Sequence, residues 1–320
     1  MDIAFTFPGQ GSQFVGMGKD LAASYPAARS VFAEVDDALG EKLSELMWDG
    51  PAERLTLTEN AQPALMAVSL AAMRVLSSEK GWDLRAARFV AGHSLGEYSA
   101  LAAAGTLTVA DAARLLRIRG NTMQEAVPVG QGAMAALLGV DLDIAFKIVA
   151  EAASTTNLVC QVANDNAPGQ VVISGAKQAV DEAMRIGKDY GVRRAIPLPV
   201  SAPFHCALMQ PAANRMAEAL RAAALQAPVI PLIANITAQA VIDPDTIRAL
   251  LVEQVTGTVR WRESVAGMAE QGVTMLYEIG AGKVLSGMAR RIDGRLTGKA
   301  LGTRDEIEAA GDNPASAPAL

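Results

Sequence analysis

The sequence predicts an α/β fold carrying an inserted βαββαβ unit, and three observations predict it. Short apolar runs bounded by turn residues, at 3–7, 87–91 and 274–279, read as buried strands. Between the first two runs, apolar residues recur at helical spacing over 18–40 and 60–78, so helices connect the strands. After Pro128-Val129-Gly130-Gln131-Gly132 the pattern changes to strand, helix, two strands, helix, strand, which is the ferredoxin-like order.

Composition bounds the rest. With 320 residues, 51% of them hydrophobic, the chain has ample material for a large core. A net charge of −6 argues against a nucleic-acid partner, whose phosphates need a basic face. Two cysteines, Cys160 and Cys206, make no disulfide framework, and the acidic Asp2 with no basic start and no apolar h-region argues against a signal peptide. The most apolar stretch, 61–76, is interrupted by Gln62, Pro63 and Arg74, so no membrane span is expected. A cytoplasmic protein is expected.

Taken in order, strand 3–7 runs into Pro8-Gly9-Gln10-Gly11-Ser12-Gln13. The third glycine of a dinucleotide fingerprint would fall on Phe14, which leaves two readings: a tight turn, or a turn bringing a backbone N–H toward the next strand. Met66, Leu70 and Met73 on the 60–78 helix read as core. Strand 87–91 is followed by a helix over 95–104 closed by Gly105, and by a helix over 111–126 capped by Thr108 and carrying Arg114, Arg117 and Arg119. In the insertion, strands are expected at 133–140, 158–163, 170–174 and 193–198, with helices at 142–153 and 177–190. The segment 164–169, rich in Asn, Pro and Gly, reads as a turn, with a second reading in which it faces the cleft between the two domains. Beyond it come a loop entering a helix that reaches about 224, a strand at 231–235, helices at 245–254 and 262–271, and strand 274–279. Gly280-Ala281-Gly282-Lys283 lacks the spacing and the Ser or Thr of a phosphate loop. The predicted division is 1–129 with 199–310 as the large domain, 130–198 as the insertion, and 311–320 as a frayed tail.

Chemistry concentrates at Gly92-His93-Ser94-Leu95-Gly96, a G-x-S-x-G between strand and helix. In that setting a serine sits on a strained turn with its hydroxyl exposed, beside the unpaired N–H groups of a helix start. Ser94 is therefore the candidate nucleophile; the alternative is chance in a chain of 28 glycines. A serine needs a base titrating near neutrality, and the chain has two histidines. His93 should point away from the Ser94 hydroxyl across the sharp turn, which leaves His205 as base. A Cys206–His205 dyad is disfavoured because neighbouring side chains diverge at a helix start.

Phe7-Pro8-Gly9-Gln10-Gly11-Ser12-Gln13, Gly92-His93-Ser94-Leu95-Gly96-Glu97, Met123-Gln124-Glu125-Ala126-Val127-Pro128, Phe204-His205-Cys206-Ala207-Leu208-Met209 and Tyr277-Glu278-Ile279-Gly280, in this order, resemble the malonyl-CoA:acyl carrier protein transacylase family. The resemblance implies an α/β-hydrolase-like large domain with a mostly parallel sheet, a ferredoxin-like insertion and a cleft between them. It implies a ping-pong transfer in which Ser94 takes malonyl from coenzyme A and passes it to an acyl carrier protein, with no bound cofactor or metal, in a monomer. By the same resemblance His205 is the base, the Gln10 and Leu95 amides form the oxyanion hole, Arg119 pairs with the malonyl carboxylate, and the Gln254 carbonyl orients His205. Phe204 and His93 would line the pocket, Phe204 narrowing it. A planar guanidinium suits a carboxylate because it donates two hydrogen bonds at once. Arg193, Arg194, Arg290 and Arg291 are basic candidates for docking an acidic carrier. A serine hydrolase using the same elbow, a decayed docking module, and the same transfer serving polyketide synthesis or malonate decarboxylation remain as rival readings.

Overall fold

A computed structural model describes residues 2–311. Its strands are β1 (Asp2–Phe7), β2 (Phe89–Gly92), β3 (Gly132–Leu138), β4 (Cys160–Ala167), β5 (Gln170–Ala176), β6 (Arg194–Pro197), β7 (Leu232–Ile233), β8 (Ala240–Val241), β9 (Val273–Ile279) and β10 (Thr297–Leu301). Six of them form one sheet in the order β10-β9-β1-β2-β7-β8, parallel except for the β7–β8 pair. The other four form an antiparallel sheet in the order β4-β5-β3-β6.

β1 lies inside the larger sheet and is buried from Ile3 to Phe7, because a strand covered by helices on both faces has no solvent side. Helix Thr58–Lys80 packs there too, buried almost continuously from Thr58 to Leu76, with Met66, Leu70 and Met73 in the core. The smaller sheet packs its own apolar cluster, including Leu137, Ile148, Ile173 and Val180, under helices Leu142–Thr156 and Lys177–Ile186. No helix among the described residues is long and apolar enough to cross a membrane.

Several expectations are corrected. The helix expected over 18–40 is two, Lys19–Ser24 and Pro26–Leu39, because Tyr25 precedes a proline and is extended (φ −124°). Segment 164–169 is not a turn: β4 continues through Ala167 with two register shifts, leaving Pro168-Gly169 between the strands. Ladder bonds to β5, and a bridge from Asn164 to Val259 on the other side, override the turn preference of Asn and Asp. The 177–190 helix ends at Ile186, and the strand at 231–235 shrinks to the two residues of β7. Helices Leu43–Asp49, Ala52–Thr56, Val284–Ile292 and Arg304–Glu308, and β10, were not anticipated. Residues 312–320 of the expected tail lie outside the described residues.

Candidate active site

β2 ends at Gly92 and helix Gly96–Ala103 begins four residues later, so the chain reverses sharply at Ser94, which takes φ 53°. A Cβ on Gly92 would lie 1.9 Å from the Gly96 carbonyl oxygen, and one on Gly96 2.3 Å from the Phe7 oxygen, so both positions need glycine. Holding a serine in the left-handed region costs on the order of 1 kcal/mol, which tertiary hydrogen bonds must offset. The Ser94 N–H donates to Asn235 Oδ1 (2.8 Å) and the His93 N–H to the Phe7 carbonyl (3.0 Å).

His205 approaches from the segment after β6, also with positive φ (59°). Its Nε2 lies 2.7 Å from Ser94 Oγ and its Nδ1 2.9 Å from the Gln254 carbonyl oxygen. A carbonyl only accepts, so Nδ1 carries the proton and Nε2 offers its lone pair to the serine hydroxyl. Burial, with the nearby Arg119 charge adding to it, lowers the His205 pKa to about 3. This corrects the expectation of a base titrating near neutrality: desolvation disfavours the imidazolium, and His205 rests neutral. Cys206 turns away, its Sγ donating to the Pro203 carbonyl.

Arg119 is 2% exposed on helix Val109–Ala126. Gly120 permits the placement, since a Cβ there would meet Glu59 Cα at 2.4 Å where this helix crosses the start of helix Thr58–Lys80. Arg119 donates from Nη1 to Gln62 Oε1 (2.7 Å) and from Nη2 to Gln254 Oε1 (2.9 Å) and Ser94 Oγ (3.1 Å). All three acceptors are neutral. The Arg119 Nε is buried without a hydrogen-bond partner among the described residues. Glu97, also buried, makes no hydrogen bond to Arg119 but acts on its charge through space, and Gln254 links the two: its Nε2 donates to Glu97 Oε2 (2.7 Å) and to the Ser94 carbonyl (2.9 Å).

Ser94, His205 and Arg119 open on a cavity of about 410 Å³ between the two sheets, lined also by Gln10, Leu95, His93, Phe204, Met134 and Asn164. The Gln10 and Leu95 amides make no hydrogen bond within the described residues. Leu95 is the cap residue of helix Gly96–Ala103, so its N–H adds to the positive end of that helix. His93 turns its Nε2 to Asn166 Oδ1 (2.8 Å), away from the nucleophile. Among the described residues no group of three or more His, Cys, Asp or Glu could hold a metal ion.

Every site residue singled out from sequence comes to this cleft or borders it. Sequence reasoning missed Thr58, Gln62, Glu97 and Asn235, while Asn166 belongs to the segment whose second reading placed it at the cleft. Gln62 carried a legible signal, as a polar residue interrupting the most apolar stretch of the chain. Of the basic docking candidates, Arg291 donates to Gln170 Oε1 (3.1 Å), bridging helix Val284–Ile292 to β5.

A model of the acyl transferase domain matches residues 4–291. The malonyl CoA-acyl carrier protein transacylase of Escherichia coli strain K12 is 49% identical over 307 residues, covering 96% of this chain and 98% of the relative; that of Bacillus subtilis is 47% identical over 308 residues, covering 96% of both. Among solved structures, the acyl-carrier-protein-S-malonyltransferase of Bartonella henselae superposes with a TM-score of 0.93 at 56% identity, covering 97% of this chain and 98% of that one. A type II polyketide acyl carrier protein in complex with its malonyl-transacylase offers a second match, with a TM-score of 0.93 at 43% identity, covering 97% of this chain and 99% of the other. The chain belongs to the acyl transferase family and groups with its malonyl CoA-acyl carrier protein transacylases.

Proposed function

We propose that this protein moves a malonyl group from malonyl-CoA to the phosphopantetheine thiol of an acyl carrier protein, through a malonyl ester on Ser94. His205 Nε2 takes the Ser94 proton as Oγ attacks the thioester carbonyl, and the Gln10 and Leu95 amides receive the developing oxyanion. Collapse expels coenzyme A, whose sulfur takes the proton from His205. The carrier thiol then gives its proton to His205, its sulfur attacks the ester, and the proton returns to Ser94 Oγ. Side chains, amides and thiols suffice for these steps, so the reading calls for no metal or cofactor.

The observation that carries it is Arg119: a buried guanidinium whose hydrogen-bond partners are all neutral, 3.1 Å from the nucleophile. A buried cation whose hydrogen-bond partners are all neutral is costly, since burial holds the nearby Glu97 carboxyl toward its protonated form, and a substrate carboxylate would pair with the guanidinium directly. An acetyl group would leave that cost in place, which is the basis of selectivity for malonyl. The complex of a relative with its acyl carrier protein supports the second half of the reaction. On this reading the protein acts in the cytoplasm as a monomer and supplies fatty acid biosynthesis.

Intact-mass measurement after mixing with malonyl-CoA alone tests the intermediate. We expect wild type to gain one malonyl group that maps to Ser94, and Ser94→Ala to gain none. Release of free malonate as fast as thioester is consumed, with no ester, would make the protein a hydrolase.

A further inference from the structure

One chain of polar side chains in the site is not used by the transfer steps above. Arg119 Nη1 donates to Gln62 Oε1 (2.7 Å), Gln62 Nε2 to Thr58 Oγ1 (2.8 Å), and Thr58 Oγ1 to Gln10 Oε1 (2.9 Å). Its direction is fixed from one end. A guanidinium only donates, so Gln62 must turn its carbonyl to Arg119 and its amide NH2 to Thr58. Thr58 Oγ1 then receives a hydrogen bond, and Gln10 Oε1 is the acceptor its own proton reaches among the described residues. The orientation of the Gln62 amide thus follows from the charge on Arg119, and that of Gln10 from the need of the Thr58 proton for an acceptor.

Burial makes this direction strict. Thr58 is 0% and Gln62 1% exposed, so a reversed Arg119–Gln62 link would set buried donor against buried donor, and a reversed Thr58–Gln10 link would leave the Thr58 proton without that acceptor. The two ends also differ in rigidity. Thr58 opens helix Thr58–Lys80 where it crosses helix Val109–Ala126, and a Cβ on Gly120 would lie 2.8 Å from the Thr58 carbonyl oxygen. Gln10 sits after β1 on a turn outside regular structure, and there its backbone amide must meet an oxyanion.

We propose that Thr58 is a positioning residue for acyl transfer: its hydroxyl ties the turn bearing the Gln10 amide to the Arg119 guanidinium and holds that amide beside Ser94. The proposal rests on the function proposed above. It implies that a substrate carboxylate engaging Arg119 acts on one end of a chain whose other end presents the oxyanion donor.

Steady-state kinetics of Thr58→Val and Thr58→Ser test it, the first removing the hydroxyl at nearly constant volume and the second keeping it. Because the Gln10 amide acts on the transition state, Thr58→Val should lower kcat for malonyl transfer about tenfold with KM for malonyl-CoA changed less than about twofold. Thr58→Ser should stay within about threefold of wild type, and in a Gln10→Met background Thr58→Val should cost less than about twofold, since both changes cut the same link. The proposal is overturned by a Thr58→Val enzyme with wild-type kcat, by Thr58→Ser falling as far as Thr58→Val, or by an equal loss with and without the Gln10 side chain. If Thr58→Val does not fold, Thr58→Ala against Thr58→Ser makes the same comparison. Hydrolysis of para-nitrophenyl acetate, which needs Ser94 and the oxyanion amides but neither a carboxylate on Arg119 nor a carrier, separates the two readings. A wild type that cleaves it without transferring malonyl would sink the proposed substrate and leave Thr58 to be judged on this ester by the same variants.

Discussion

Two buried ionisable groups at the site titrate far from their ordinary ranges, in opposite directions. Burial lowers His205 from 6.5 to about 3, helped by the Arg119 charge, and raises Glu97 from 4.5 to about 7 against the lowering effects of Gln254, Asn235 and Arg119. For Glu97 the folded protein keeps a proton that the unfolded chain releases above about 4.5, so its contribution to stability is fully present below that pH and is lost as pH rises to 7. His205 acts with the other sign: the unfolded histidine takes a proton below about 6.5 and the folded one does not until about 3, so stability falls as pH drops through that interval. Comparing wild type with Glu97→Gln isolates the first effect. Urea unfolding at pH 5 and pH 7 should show wild type losing on the order of 2 kcal/mol relative to Glu97→Gln across that step, and a difference that does not change with pH would contradict the buried, proton-holding Glu97. At this scale sequence went part of the way. Ser94 and His205 follow from residue type and a count of two histidines, whereas Arg119 is not separable by spacing from Arg114 and Arg117 on the same helix. Packing separates them: Arg117 pairs with Glu41 and Asn60 and Arg114 with Asp111, while Arg119 turns inward.

The elbow is the element on which the site depends, and its glycines are steric requirements. Gly96→Ala would drive a methyl toward the Phe7 carbonyl, now 2.3 Å from the ideal Cβ position, and push helix Gly96–Ala103 off β1. Thermal or urea unfolding should register a loss of at least about 2 kcal/mol, the cost of overpacking where backbone cannot yield, together with loss of Ser94 acylation. A Gly96→Ala protein of wild-type stability and activity would show that the elbow is looser than this packing requires. The strand–turn–helix of the elbow was readable because apolar run, glycine pair and helical periodicity agree over a short stretch. β4 was misread for the opposite reason. Asn164, Asp165 and Asn166 favour turns locally, yet the ladder to β5 and the bridge to Val259 keep them extended, and neither partner is near in sequence. Helix Val284–Ile292 was missed although it carries Arg290 and Arg291, because a single short helix over 284–292 gives periodicity little length to act on.

Across the whole molecule, the cleft exists because the smaller sheet is stitched to the larger part along β4. Asp165 N–H donates to the Val259 carbonyl (2.9 Å), Val259 N–H to the Ala163 carbonyl (2.8 Å), and the buried Asp165 carboxylate pairs with Arg262 (2.8 Å). These contacts set Asn166 against His93 and the smaller sheet over Ser94, and they span separations that no local pattern encodes. The alternation of strands and helices and the βαββαβ order were legible in sequence; the closing contacts were not. Nor does the net charge of −6 speak to a single cation buried in the centre, since overall charge describes mainly the surface. That cation is the centre of the account, and label transfer from malonyl-CoA and acetyl-CoA to a phosphopantetheinylated carrier protein, by wild type and Arg119→Ala, tests it most directly. Wild type should prefer malonyl by at least about 100-fold, and Arg119→Ala should lose malonyl transfer by a similar factor while its acetyl rate falls no more than about tenfold, the loss expected from cutting the Thr58 link. Equal use of both donors by wild type, or an equal loss of both in Arg119→Ala, would contradict the role given to the guanidinium.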